Sequence, residues 1–288
     1  MATPGRPKAW LLVQIESMIT PLAILTVVAY AASLVLYFRL LYGGQALVGR
    51  AATLLLACGL GLHYLLLLER SRALHSVPYQ DLYGAMSLFA WLLALTYLGL
   101  ELFHRQRSLG AFLLPIVLLI LLAATLTRPV APPAAPPAHG AVFALHVTLS
   151  VLAYAAFAMS FVLSLMFLAE QRLLRRHKLG SIVWSFPALE LLERMARSSV
   201  VVGLVAIFAG VSLGFVSVDQ LTGRVWRYDS KYLVTLLVVL LYAAYLYLGR
   251  AAKWRGARAS KLCIFNFLVI LLSVTVVNLF LSRWHRFF

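Results

Sequence analysis

"AVFALHVTLSVLAYAAFAMSFVLSLMFLA", residues 141–169, runs for 29 residues without an Asp, Glu, Lys or Arg. A helix needs about 20 apolar residues to cross the hydrocarbon core of a bilayer. Backbone N–H and C=O groups have no water to bond there, and a helix pairs them internally. The stretch therefore predicts a membrane-spanning helix. Seven further runs of this kind lie at roughly 18–38, 50–68, 82–103, 109–127, 199–218, 231–249 and 261–281. Composition agrees: 63 % of the 288 residues are hydrophobic and 12 % charged, against about 45–50 % and about 25 % in a soluble domain. The expected fold class is all-α: a polytopic membrane protein with eight transmembrane helices, forming a single integral membrane domain over 1–288. Four spans fill 1–127 and four fill 141–288, on either side of the connection 128–140.

The formal charge of +16 does not imply a nucleic-acid partner. The cations sit at the ends of the apolar runs, where they face lipid headgroups and set topology. The connections after spans five and seven carry Arg172, Arg175, Arg176, Lys178, Arg194 and Arg197, then Arg250, Lys253, Arg255, Arg258 and Lys261. With Arg39, Arg50, Arg105 and Arg107 they place 15 of the 25 Lys and Arg on one side. The positive-inside tendency puts that side in the cytoplasm and both termini in the extracytoplasmic space. The opening "MATPGRPKAW" has no short apolar core followed by a cleavage site, so no removable signal peptide is expected.

Two connections and one span carry further signals. "RPVAPPAAPPAHG" (128–140) predicts an extended, polyproline-like external spacer. "WSFPALELLERMARS" (184–198) predicts a short amphipathic helix at the cytoplasmic interface, starting near Pro187 with Leu189, Leu192 and Ala196 on one face. In span six, Gly203, Gly210 and Gly214 share a helix face, which reads as a packing surface without chemistry. Cys58 and Cys263 stand alone in apolar segments and read as small buried residues; no C-x-x-C is present.

No catalytic constellation appears among the nine carboxylates, and no nucleophile-elbow, zinc-protease or P-loop pattern occurs. The chain is not expected to be an enzyme. His75, His104, His139 and His177 read as solvated residues in or beside loops. His63 lies at membrane depth, where a functional role and a helix-to-helix hydrogen bond are both open. His146, near the start of span five, and His285, after span eight, fall on the external side together with "RVWRYDSKY" (224–232). Two imidazoles beside aromatic faces suit the iron of a haem and its macrocycle. Arg224, Arg227, Arg283 and Arg286 are at the level where guanidinium groups receive propionates. An interfacial Trp/Tyr belt with cationic flanks explains the same residues without a ligand.

Several ordered motifs resemble the CcsA/ResC/HemX superfamily of cytochrome c assembly proteins, most closely its short, eight-span YpjD-like branch. "WRYDSK" is similar to the family's external W-x-W-D-x-K-E motif, keeping Trp226, Asp229 and Lys231, with Tyr228 in an aromatic position. "FPALELLER" resembles the family's P-x-L-E stretch, and "YAAYLYLGRAAKWRGARAS" its L-H-x-R…W-R-G-x-R-A. "LHVTLSVLAYAAFAMSFVLSLMFLAEQ" resembles the span that carries an external haem-ligand histidine, which falls on His146. His285 is the counterpart of the second external histidine, in looser surroundings. Tyr247 stands where haem-exporting members carry a further histidine, and Tyr232 stands for the motif's glutamate.

The resemblance implies a multi-pass protein of the bacterial cytoplasmic (inner) membrane that holds or passes haem during cytochrome c assembly. His146 and His285 would ligate the iron. Trp226 and Tyr228 would supply a platform, Asp229 and Lys231 would orient the loop, and Arg227 would meet a propionate. Its partners would be the lipid bilayer, haem and other cytochrome c maturation or membrane proteins. The alternative is a HemX-like membrane scaffold that binds no haem and meets a partner through the basic loops at 170–197 and 250–261. A solute transporter is less consistent, because no paired interrupted spans mark a midplane site.

Overall fold

Each apolar run becomes a helix in a computed structural model, whose described residues are 9–43, 45–74, 81–127, 140–176, 187–222 and 230–276. In chain order these are α1 (Ala9–Leu41), α2 (Ala46–Leu74), α3 (Leu82–His104), α4 (Gly110–Thr125), α5 (Ala141–Arg175), α6 (Leu189–Thr222), α7 (Ser230–Leu248) and α8 (Ala257–Val276). A 3-10 turn, Ala252–Trp254, precedes α8. The described residues contain no strand. Five helical stretches are long and apolar enough to cross a membrane: Ile19–Leu41, Ala46–Arg72, Leu82–His104, Ala141–Arg175 and Leu189–Val216. Ile24, Val35, Leu54, Val205, Leu240 and Leu272 all turn their side chains outward. In water such a surface would be untenable, whereas in lipid it is matched to its surroundings. The chain is a multi-pass membrane protein.

α5 makes its most extensive packing against α6, and α3 joins the N-terminal helices to this pair. Helices consecutive in the chain run antiparallel where they pack, as in α1 with α2 and α5 with α6. Tyr30 of α1 meets His63 of α2, while Ser33 donates to the Ala52 carbonyl at 2.8 Å. Ser160 of α5 lies 3.1 Å from the Cys263 sulfur of α8. α5 and α7 touch through Phe157 and Tyr242, whose rings stack 4.0 Å apart and only 8° from parallel.

Three buried polar side chains, Glu101, Asp81 and His63, have identifiable partners. Glu101 on α3 is 1 % exposed. Its carboxylate accepts from the Tyr37 hydroxyl at 2.5 Å and from the Thr53 hydroxyl, with Arg107 Nε 3.8 Å away. An ionisable group at this depth needs such company. Asp81 caps α3, accepting from the Gly84 N–H at 2.9 Å and pairing with Arg70. His63 is fully buried between Tyr30 (3.2 Å) and the Ser87 hydroxyl (2.9 Å), so it ties α1, α2 and α3 together. These contacts are the helix-to-helix link that one of its two readings expects.

Three expectations require correction. The segment 184–198 is not a separate interfacial helix: from Leu189 it is the first part of α6. Leu192, Met195, Ala196, Ser199 and Val200 are buried and continue into the same stripe as Gly203. No proline interrupts α6 after Pro187, so one inward stripe supports one helix. Residues 184–186 lie outside the described residues. Cys58 is exposed, on the face of α2 turned away from Leu56, Gly59 and Leu60, whereas Cys263 is buried. His104 is no solvated loop residue: it ends α3, and its Nε2 lies 3.0 Å from the Ser198 hydroxyl of α6. The glycine face of α6 packs closely against α5, as expected. The Pro-rich connection 128–139 and His75, His139 and His177 lie outside the described residues.

Candidate functional site at the start of α5

His146 stands in the second turn of α5, half-buried against α6. The contact follows from residue size. A Cβ on Gly214 would stand 2.8 Å from His146 Cε1 and 2.9 Å from its Nδ1. Only a residue without a side chain leaves that volume to the imidazole. One turn earlier on α6, the carbonyl of Gly210 takes the Nδ1 hydrogen bond at 2.6 Å. Two turns further back, Gly203 makes the equivalent space for Phe157: a Cβ there would lie 2.5 Å from the ring. Helix residues three, four and seven apart share a face, so one row of glycines serves two rings of α5.

The hydrogen bond fixes the chemistry of His146. A carbonyl oxygen can only accept, so Nδ1 carries the proton. In the neutral ring, Nε2 then presents its lone pair, which is the form a metal ligand needs. Among the described residues no group hydrogen-bonds to Nε2. Phe143, one turn before, places its ring centroid 6.2 Å from that of His146 and supplies an apolar neighbour.

The course of the helices fixes what else approaches this end of the bundle. His146 faces Gly214, eight residues before α6 ends at Thr222, or about 12 Å along the axis. α7 begins at Ser230 after the connection 223–229. α8 runs antiparallel to α5, with Cys263 at Ser160 and Gly256 at Phe167, so its last turn points to the same end. Lys231 is in the first turn of α7. Trp226, Arg227, Tyr228, Asp229 and His285 lie outside the described residues.

At the opposite end of α7, Tyr247 is 69 % exposed and looks outward, whereas Tyr242 and Tyr245 are buried. The Arg197 guanidinium there donates to the Gly249 carbonyl at 2.7 Å. The described residues contain no group of three or more His, Cys, Asp or Glu that would cage a bare metal ion. Haem iron asks less of a protein, because the porphyrin supplies four nitrogens and the chain only axial ligands. A single half-buried imidazole with one fixed tautomer fits that requirement.

The contribution of Gly210 and Gly214 escapes a reading by residue type, since neither brings a functional group. Their four-residue spacing was the available signal. It becomes informative only once α5 and α6 are paired so that His146 falls opposite.

Comparison with known proteins agrees with the motifs. The model of the family described as "Cytochrome C assembly protein" matches residues 79–285. Protein HemX of Brevibacillus brevis is 26 % identical over 251 residues, spanning 86 % of this chain and 92 % of that protein. Protein HemX of Bacillus subtilis (strain 168) is 31 % identical over 147 residues, 50 % of this chain and 51 % of the relative. Cytochrome c biogenesis protein CcsA of Guillardia theta is 24 % identical over 229 residues, 73 % and 76 % of the two chains. With a family match that runs from α3 to beyond α8, the chain belongs to the cytochrome c assembly protein family.

Proposed function

We propose that this protein holds or passes haem at the external face of the bacterial inner membrane during cytochrome c assembly, without making or breaking a covalent bond. The observation that carries the reading is His146. Its imidazole is seated on α6 with Nδ1 committed to the Gly210 carbonyl at 2.6 Å, leaving the Nε2 lone pair for iron. In this reading His285 is the second axial ligand. Trp226 and Tyr228 cover the macrocycle, Arg227 pairs with a propionate, and Asp229 and Lys231 set the loop at the start of α7. Bound haem supplies the iron and its redox chemistry; the chain supplies ligands, an apolar wall and orientation. The chain crosses the membrane eight times as a single domain with both termini external, in keeping with the 15 of 25 Lys and Arg on the opposite, cytoplasmic side. It would sit in the short, eight-span branch of its family.

The purified protein titrated with haem should give a bis-imidazole absorption spectrum, and His146→Ala should weaken it. Identical spectra for the two proteins would remove the assignment. One observation favours a second reading, a scaffold without haem. Tyr247, where haem exporters are expected to carry a histidine, faces outward at 69 % exposure and offers nothing to an inner site. That reading predicts no haem spectrum from the wild type, and capture of a partner that persists in His146→Ala but fails when the basic loops are neutralised.

A further inference from the structure

The geometry points to the backbone of α6 as the device that selects which nitrogen of His146 binds iron. We infer that the Gly210 carbonyl and the absent side chain of Gly214 are positioning elements, and that Nε2 is the ligating atom. The inference rests on the haem reading above, but the hydrogen bond can be tested without haem.

Two separate features of the site lead to it. The first is the 2.6 Å contact from Nδ1 to the Gly210 oxygen. That carbonyl sits within α6, four residues before Gly214, so it also lies in line for the Gly214 N–H of the helix ladder. A carbonyl has two lone pairs and serves both donors. The second is steric. The ring lies over Gly214, where a Cβ would meet Cε1 and Nδ1 inside 3.0 Å, so the imidazole cannot keep this pose above any larger residue. The Ser150 hydroxyl, one turn along α5, donates to the His146 carbonyl at 2.8 Å. It thus holds the backbone from which the ring projects. Together these fix position, tautomer and direction before a ligand arrives.

The consequence for iron is chemical. A histidine that donates its other N–H to a carbonyl is oriented and becomes a more basic ligand. A more electron-donating axial nitrogen favours the ferric state. A protein that holds haem for transfer would thereby bias it toward the ferric state by means of a main-chain acceptor, which no side-chain substitution at 210 can directly delete. The sensitive position is 214.

The experiment has two arms. In the first, the protein is labelled with 15N-histidine and its imidazole resonances are measured in detergent without haem, the His146 signal being assigned by its loss in His146→Ala. At a pH alkaline enough for the ring to be neutral, the expected result is the Nδ1–H tautomer; the Nε2–H tautomer would overturn the inference. In the second, haem is titrated into the wild type, Gly214→Ala, Gly203→Ala and His146→Ala, and the midpoint potential of each complex is measured. Gly214→Ala should bind haem about 10–100-fold more weakly, the range seen when a ligand's supporting contact is lost, and its potential should rise. Gly203→Ala disturbs the same helix face, against Phe157, and should keep wild-type affinity and potential. Equal losses in both glycine variants would reduce the effect to helix packing and overturn the inference. Wild-type behaviour of Gly214→Ala alongside a failing His146→Ala would overturn it while leaving the haem reading intact. If His146→Ala itself binds haem like the wild type, the haem reading fails and the assignment of Nε2 as ligand fails with it, whatever tautomer the first arm finds.

Discussion

Replacing Glu101 with alanine probes how the N-terminal helices are held together, and the cost follows from the fate of each hydroxyl that Glu101 accepts. The Tyr37 side chain is fully buried, and its hydroxyl donates to Glu101 at 2.5 Å. In Glu101→Ala that hydroxyl has lost its acceptor inside the bundle, at about 1–3 kcal/mol. Thr53 fares better. Its hydroxyl also reaches the Gly49 carbonyl at 3.0 Å, so its proton turns to that oxygen and little is lost. Arg107 is 38 % exposed and 3.8 Å from the carboxylate, so water takes over its charge and the ion pair adds little. The total is about 1–3 kcal/mol. Glu101→Gln retains an acceptor for Tyr37 and should cost less than half as much. Tyr37→Phe removes the donor, so the double variant leaves nothing orphaned. Interhelical hydrogen bonds in membranes couple by about 0.6 kcal/mol on average and about 1.7 at most. A bond to a carboxylate belongs near the upper end, so the cycle should show about 1–1.5 kcal/mol. Equilibrium unfolding in mixed micelles measures all four proteins. Additivity of Tyr37→Phe and Glu101→Ala, or a glutamine variant less stable than the alanine one, would refute this account of the cluster.

Three other substitutions follow from the same packing. Gly203→Ala sets a methyl against Phe157, which is stacked on Tyr242 and has no room to retreat. It should lose about 1–3 kcal/mol in thermal unfolding, and Phe157→Leu in the same chain should recover part of it. His63→Ala breaks the links to Tyr30 and Ser87 and should cost about 1–3 kcal/mol, with no change in the haem spectrum. Tyr247→Phe, on an outward face, should shift stability by less than about 0.5 kcal/mol and leave haem binding untouched.

Much of this architecture is legible in the sequence, because lipid leaves the backbone few options. Each of the eight apolar runs corresponds to a helix, and the start of α3 at Leu82 and of α5 at Ala141 fall where the runs begin. Helix ends are read less well. α6 begins ten residues before the apolar run at 199, because Leu192, Met195 and Ala196 extend the inward stripe while charged neighbours lower the local hydropathy. Facing was the harder matter. Cys58 looks like a core residue by composition, yet it lies on the outward face of α2. In a membrane both faces of a helix are apolar, so hydropathy no longer separates inside from outside. His104 looks solvated only until Ser198 of α6 is brought beside it, 94 residues later in the chain. The ligand candidate His146 was visible as a residue type at a span end. Its fixed tautomer was not, because the acceptor is a main-chain oxygen that every residue possesses.

Chemical rescue tests the central claim most directly. His146→Gly would leave ring-shaped space above Gly214, and free imidazole can enter it to ligate iron. The haem-loaded variant should lack the bis-imidazole spectrum of the wild type and regain it on addition of imidazole. A wild-type spectrum in His146→Gly without imidazole, or a lost spectrum that imidazole does not restore, would contradict ligation of haem by His146.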